Sequence, residues 1–536
     1  MASRDPLLHR SRTTSPKLSV GTTHTTALAA HGYPQHLHRG VGSFASFAAG
    51  FSFVSILTTV FQLFGLGFSF GGAAFFWAWP VVFAGQLLVA VNFAQLAAWW
   101  PISGAIFQWS SRLAGSVVGW FTGWTMIIGQ ILTIAVAAVA VQAVLPAIWS
   151  GFQIVGGPGA DSAPLSPTGA ANSVLLGCII LLITTGVNII SVRLMARVTS
   201  VGVLIEIVGV AALVVALFIL PERSASVVFT TEGRAPGGAY LWVWLASALM
   251  AAYVMVGFDS AGELSEETHL PRRTTPKTII RALTVSGLGG ALLIIAALVA
   301  APSLTNGALA TGGLAGVVDD RLGPVLGRLL LCCVAVAVFA CTLAVQTSGS
   351  RMVYSMARER ALPFSILLAH VSPRTGTPIV TSIVVGAGAA LVLVVNIGQS
   401  ALFTALSSLC IAMLYLAYLG VTVPLLVRRI QGWTRDKEQG VDETGAPLFS
   451  MGRWAIPLNT VAVVFQLLMV INLAWPRSAI YDLTGHSWWL QWSAILFIGA
   501  TLVVGGIYYR FTHRTHLVLR KVATSANPHV VATEIA

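Results

Sequence analysis

Long apolar runs, each near the length a bilayer demands, fill most of the chain from residue 41 onward and are parted by short polar or glycine-rich stretches. A helix needs roughly 20 apolar residues to cross the ~30 Å hydrocarbon core. That measure predicts an all-α membrane protein with twelve spans, at residues 41–67, 74–99, 116–147, 172–192, 199–220, 240–262, 277–301, 325–352, 376–396, 400–427, 456–475 and 487–509. Only Ile397, Gly398 and Gln399 separate the ninth from the tenth, and joining those two would leave eleven.

Two of these runs are interrupted. In the sixth, the helical pattern that starts at Tyr240 breaks at Gly257-Phe258-Asp259 and resumes for two turns. It then leaves through Glu266, Glu267, Pro271, Arg272 and Arg273. A carboxylate and a helix break are each costly in lipid, so together they predict backbone lining a protein-enclosed cavity. In the first run, Ser52, Ser55, Thr58 and Thr59 fall largely on one helical face. Taken alone, that run also fits an intact helix whose hydroxyls bond back to its own carbonyls. The first and sixth runs, however, lie five spans apart and enter the membrane from opposite sides. Interruptions at matching positions of two five-helix halves are the pattern of an inverted repeat.

Composition narrows the class. With 56% hydrophobic and 9% charged residues and a mean hydropathy of +0.83, a soluble globular protein is excluded. With the N-terminus placed in the cytoplasm, 25 of the 30 Lys and Arg fall on inner segments and 5 on outer loops. This positive-inside asymmetry predicts a multi-pass plasma-membrane protein with both termini cytoplasmic. Residues 1–40 read as a disordered tail, 428–455 as a cytoplasmic loop and 510–536 as a second tail. The net charge of +12 comes from those basic inner segments. No basic stripe with interleaved aromatics points to nucleic acid. All five cysteines lie in apolar spans and read as core residues rather than a disulfide framework. No His/Glu metal pattern, nucleophile elbow or phosphate loop falls in the spans, which argues against an enzyme.

The segment GFDSAGELSEETHLPRRTTPKTI, residues 257–279, resembles the sixth-helix signature of the amino acid–polyamine–organocation permease superfamily. It is most similar to the amino-acid/choline transporter branch, which includes GABA and choline permeases. FSFVSILTTVF (51–61) resembles the first helix of that branch. PISGAIFQW (101–109) resembles its second-helix exit, with Ala105 where a second glycine is usual, and SRMVYSMARERALP (350–363) its eighth-helix exit. The resemblance spans roughly residues 40–430. It implies a leucine-transporter-type fold: inverted five-helix repeats at 41–222 and 240–427, plus two peripheral helices within 456–509. Leu57, Thr58 and Thr59 stand where many relatives carry a Gly-small-Gly run, which implies a narrower site.

A broken helix frees backbone groups. Freed N–H groups near Ser55, Leu57, Thr58 and Thr59 form a positive helix start that suits a carboxylate. The carbonyl ends of the other half-helices suit an ammonium, so an amino acid or related zwitterion satisfies both. Tyr253, Val256, Gly257 and Phe258 are expected to face the pocket, the aromatics as lids, although Tyr253 fits core packing equally well. Asp259 either caps the short half-helix or serves as an ionisable group for a cationic substrate or a proton. Glu263 is expected near the inner gate. Glu266, Glu267, Arg272, Arg273 and Arg281 read as a solvated loop.

Of the 18 Asp and Glu, only Glu206 and Asp259 are expected deep in the membrane. An isolated buried carboxylate takes a proton or finds a cation. By resemblance, Glu206 replaces a Lys that can occupy a vacated sodium site in relatives. A structural Glu bonded to a neighbouring helix is the alternative. Thr347 and Ser348 are candidates for an oxygen-lined cation site with the carbonyls of residues 50–53, or for ordinary helix packing. The resulting expectation is a secondary active importer of an amino acid or related amine such as GABA. It would work by proton symport and alternating access, with no cofactor beyond a coupling proton or sodium ion. An exchanger, a sodium-coupled symporter and a non-transporting nutrient sensor are the rivals.

Overall fold

In lipid every backbone polar group must be satisfied within the protein, and the apolar runs meet this by coiling into helices. The computed structural model describes residues 35–164, 166–234, 239–305, 308–395, 397, 402–433, 440–442, 444–481 and 488–526. Among the described residues the architecture is all-helical, with isolated bridges in place of strands. Ten helical spans, the divided first one counted as a single span, are long and apolar enough to cross a membrane. Two shorter apolar helices, Tyr240–Val254 and Ile379–Val395, fall on the sixth and ninth expected spans.

The first span is two helices, α1 (Ser43–Val54) and α2 (Ile56–Gly71), joined at Ser55. Next come α3 (Ala78–Trp99), α4 (Ala105–Ala114), α5 (Ser116–Val139), α6 (Pro167–Ile190) and α7 (Val192–Ile219). The sixth span is again divided, into α8 (Tyr240–Val254) and α9 (Ser260–Glu263). The chain continues through α10 (Pro271–Ala300), α11 (Ala308–Arg358), α12 (Ile379–Val395), α13 (Leu402–Ile430), α14 (Ala455–Ala474) and α15 (Ser493–Ala526). Gly313 and Gly323 interrupt the beginning of α11 with non-helical backbone, and Pro324 follows the second interruption.

The divided first span sits at the centre. Its most apolar window is 83% buried, against 17% for that of Ser493–Thr512, which marks the last helix as peripheral. α2 packs on α8 and α11, α1 on α7 and α10, and α13 on α5. Both breaks are thereby enclosed by protein.

Several expected boundaries move, each for a local reason. α7 starts at Val192, not 199, because Ser191 caps it by accepting from Arg193 N at 3.1 Å. α10 starts at Pro271, not 277, with proline at its first position, where no N–H is needed. The amphipathic α4, between the second and third spans, is too short and polar to register as a membrane run. The expected tail at 1–40 is corrected at its end. Gln35 Nε2 donates to Glu266 O at 3.1 Å, Val41 N to Glu267 O at 2.9 Å, and Leu37 is buried. Residues 35–41 therefore form a strap across the end of the sixth span, while 1–34 lie outside the described residues. At the other end, α15 runs on to Ala526 through most of the expected tail. Of the cysteines, Cys341 and Cys410 are buried, whereas Cys332 is exposed on the outer surface of the bundle.

Candidate functional site

The first break is made by one residue. Ser55 takes φ 36°, ψ 91°, outside the helical region, and its N–H closes α1 by bonding to Phe51 O at 2.8 Å. A non-glycine residue at positive φ is strained, and such strain persists where the surroundings hold it in place. Here they do. Ser55 Oγ donates to Glu206 Oε1 at 2.9 Å and lies 2.7 Å from Thr58 Oγ1, while Thr59 Oγ1 donates to Ser55 O at 2.7 Å.

Glu206, on α7, also accepts from Leu57 N at 3.1 Å. Its carboxylate thus occupies the amide end of α2, the position the sequence reading left for a substrate carboxylate. Glu206 is fully buried, and its other oxygen, Oε2, has no hydrogen-bond partner.

The second break spans residues 255–259. Gly257 has φ +91°, and a Cβ built there would lie 1.7 Å from Phe53 Cδ1 of α1. Only glycine satisfies both the left-handed backbone and the contact with the Phe53 ring. Ser260 Oγ ties the same region to Ala49 O of α1 at 3.1 Å. The two interruptions are therefore in direct contact.

Of the two readings of Asp259, capping is not seen, since its side chain makes no cap hydrogen bond to α9. Instead it accepts from the Tyr418 hydroxyl of α13, and that same hydroxyl accepts from Gly257 N at 2.9 Å. Tyr418 thus substitutes for helix partners on both sides of the break. Nothing in its sequence context, a tyrosine in an apolar run, singles it out. Asp259 Oδ2 keeps no partner.

A small cavity, about 10 Å3 in volume and with room for about one water, lies beside the breaks. Thr58, Thr59, Tyr253 and Val256 line it, together with Phe53 and Cys341. Phe258 does not. It turns into an aromatic cluster, with ring centroids 6.0 Å from Phe93 and 5.5 Å from Tyr418, so its expected role as a pocket lid is corrected. Leu57 is buried and contributes its amide rather than its side chain. Gly257 shapes the site through its backbone, outside the cavity lining.

The cation-site candidates are hydrogen-bonded to neighbouring helices. Thr347 Oγ1 donates to Asn188 Oδ1 of α6 at 2.7 Å, and Ser348 Oγ accepts from Gln130 Nε2 of α5 at 2.9 Å. Neither hydroxyl is bonded to a carbonyl of residues 50–53. Among the described residues no group of three or more His, Cys, Asp or Glu is placed to hold a metal.

Below the break, the two glutamates of the expected solvated loop belong to a buried ion-pair layer, whereas Arg273 and Arg281 are exposed as a solvated loop requires. Glu267 and Arg351 are both fully buried, with Arg351 Nε donating to Glu267 Oε1 at 3.0 Å. Arg358 grips both oxygens of Glu266, at 2.8 and 3.0 Å, and Ser103 N adds a third bond at 3.0 Å. Glu263 is buried against the amide start of α4, 3.5 Å from Ile106 N. The motifs at 257–279, 101–109 and 350–363 thus meet in one layer. Arg272 is half-exposed, its guanidinium donating to Val441 O at 3.1 Å.

Comparison with known proteins places this geometry. A family model described as amino acid permease matches residues 40–501. The chain is 27% identical to amino-acid permease BAT1 of Arabidopsis thaliana, over 84% of this chain and 88% of that protein. It is 24% identical to the branched-chain amino acid permease BcaP of Bacillus subtilis, over 84% and 91% respectively. Among solved structures, that of MhsT in complex with L-phenylalanine superposes with a TM-score of 0.56 at 14% identity, covering 80% of this chain and 97% of that one. That likeness shows a shared leucine-transporter-type fold.

Proposed function

The chain belongs to the amino acid permease family, a family of transporters rather than enzymes, and we propose that it imports an amino acid or a related amine such as GABA by proton symport. The proposed location is the plasma membrane, with both termini in the cytoplasm, as the basic loops favour. The observation that carries this reading is the position of Glu206. Its carboxylate sits on the Leu57 amide and the Ser55 hydroxyl, the groups at the start of α2 best suited to a substrate's carboxylate.

Two carboxylates cannot share that helix start without repulsion. Protonation of Glu206 removes its charge, weakens its hold on Leu57 N and Ser55 Oγ, and leaves them to the incoming substrate. The substrate ammonium then meets the carbonyl ends of α1 and α8 around the same cavity. The proton is taken up with the substrate, which is symport. In the reverse sense, loss of the proton returns Glu206 to the helix start and expels the substrate.

The cavity is too small for an amino acid, so this arrangement is read as a closed state that must open. Opening toward the face of the ion-pair layer requires the Glu266–Arg358 and Glu267–Arg351 pairs to separate. Alternating access would rock α1, α2, α3, α8 and α10 against the remaining helices, with Gly257 as hinge.

Uptake by purified protein in vesicles tests the coupling. With an imposed inward proton gradient, wild-type protein accumulates substrate. Glu206→Gln, a permanent mimic of the protonated form, exchanges substrate across the membrane but does not accumulate it. Accumulation by Glu206→Gln with an unchanged pH dependence would remove Glu206 from the coupling.

A further inference from the structure

Coupling through Glu206 leaves two buried acids unused. Asp259 and Glu263 are fully buried and four residues apart, joined by a helical turn in which Glu263 N donates to Asp259 O at 3.1 Å. Residues at that spacing stand on the same side of a helix, with Cβ atoms about 5–6 Å apart. Each carboxylate has one oxygen engaged. Asp259 Oδ1 accepts from the Tyr418 hydroxyl, and Glu263 Oε1 faces Ile106 N, at the amide start of α4, at 3.5 Å. The other oxygens, Asp259 Oδ2 and Glu263 Oε2, have no hydrogen-bond partner among the described residues.

Neither acid is held by a cation, because the charged groups of the surrounding elements are engaged or turned elsewhere. α9 packs against α1, α4, α10 and α11. α1 carries no titratable residue, and on α4 the Arg112 guanidinium is bonded to Gln108. On α10, Arg273, Lys277 and Arg281 are exposed, and Arg272 donates to Val441 O. On α11, Arg351 holds Glu267 and Arg358 holds Glu266, with the Tyr354 ring under the Arg358 guanidinium. Cys341 and Tyr253 line the small cavity, and Tyr415 of α13 turns toward Phe465. His38, Arg39 and His269 line a separate cavity.

Two charged carboxylates so placed repel each other, and burial without a cation is costly for each. One proton relieves both. The donors set where it goes. The Tyr418 hydroxyl accepts from Gly257 N and gives its single proton to Asp259 Oδ1, so Oδ1 is an acceptor and an added proton belongs on Oδ2. By the same logic the Ile106 amide leaves Oε2 as the protonated oxygen of Glu263. We propose that Asp259 and Glu263 share one proton in this closed arrangement, carried on Asp259 Oδ2 or Glu263 Oε2, and lose it when the ion-pair layer opens and admits water. The step is proton transfer alone: one O–H bond breaks, a water takes the proton, and two hydrated carboxylates remain. The proposal rests on the reading of the ion-pair layer as the part that opens, and it is separate from the role of Glu206.

Infrared spectroscopy of the purified full-length protein in lipid vesicles at neutral pH tests for the proton. In Glu206→Gln, which leaves the pair intact, a carboxylic acid C=O band that shifts in D2O is expected. Adding Asp259→Asn and Glu263→Gln together in that background should remove it. Counterflow tests the release. As the pH falls on the side of the ion-pair layer, opening is opposed by up to about tenfold per unit, the limit for one linked proton. Wild-type counterflow should slow with that fall in pH, and Glu263→Gln should slow less steeply. Accumulation by Glu206→Gln, which would remove Glu206 from the coupling, alters none of these expectations. No such band in Glu206→Gln, a band that survives the double replacement, or equal pH slopes in wild type and Glu263→Gln would overturn the proposal.

Discussion

At the scale of single residues, the site depends on Gly257 and Tyr418. Gly257→Ala places a methyl group at φ +91° and drives it into the Phe53 ring, so the two breaks must separate or distort. We expect a loss of about 1–3 kcal/mol from the backbone strain alone, read as a lower Tm, together with reduced uptake. Tyr418→Phe removes one hydroxyl and strands two groups, Gly257 N and the Asp259 oxygen that accepts from it. Leaving a buried polar group unpaired costs about 1–3 kcal/mol. Tyr418→Phe should therefore destabilise the protein more than a neighbouring exposed substitution such as Val423→Ala, and equal Tm values for the two would count against the bridging role. The glycine was legible in the sequence because an apolar helix that stops at Gly-Phe-Asp needs a reason. Tyr418 was not, because its work is a contact between positions 159 residues apart, and an apolar run gives no sign of it.

At the scale of elements, the sequence placed the two broken helices and most spans but misread the two glutamates after the sixth. Glu266, Glu267, Arg272 and Arg273 look like a solvated loop when only sequence neighbours are counted. The partners of the two glutamates come from α11, 84 and 92 residues away, and turn them into a buried layer. Of the two readings the sequence left open for Asp259, the cap is not formed for a similar reason: α13 supplies the donor instead. Removing one partner of a buried pair leaves the other charge uncompensated, which typically costs 3–5 kcal/mol. Arg351→Gln should therefore lower the Tm sharply, and Glu267→Gln combined with Arg351→Gln should recover part of the loss. If the double variant is as unstable as the sum of the singles, the pair is not an energetic unit.

At the scale of the whole molecule, the fold brings together what lies far apart in the chain. α1 and α2 contribute the break at Ser55, α8 and α9 the break at Gly257, and α7 the carboxylate that meets the first break. The family and the fold were legible from the motifs and the positive-inside pattern, because both are written in contiguous residues. The pairing of Glu206 with the start of α2 was not, since it depends on how α7 leans across the first span. That pairing is the central claim, and substrate accumulation in vesicles measures it most directly. Wild-type protein and Glu206→Gln are compared under an inward proton gradient, with counterflow as the control for folding and binding. The account predicts that Glu206→Gln keeps counterflow and loses gradient-driven accumulation, and gradient-driven accumulation equal to wild type would contradict it.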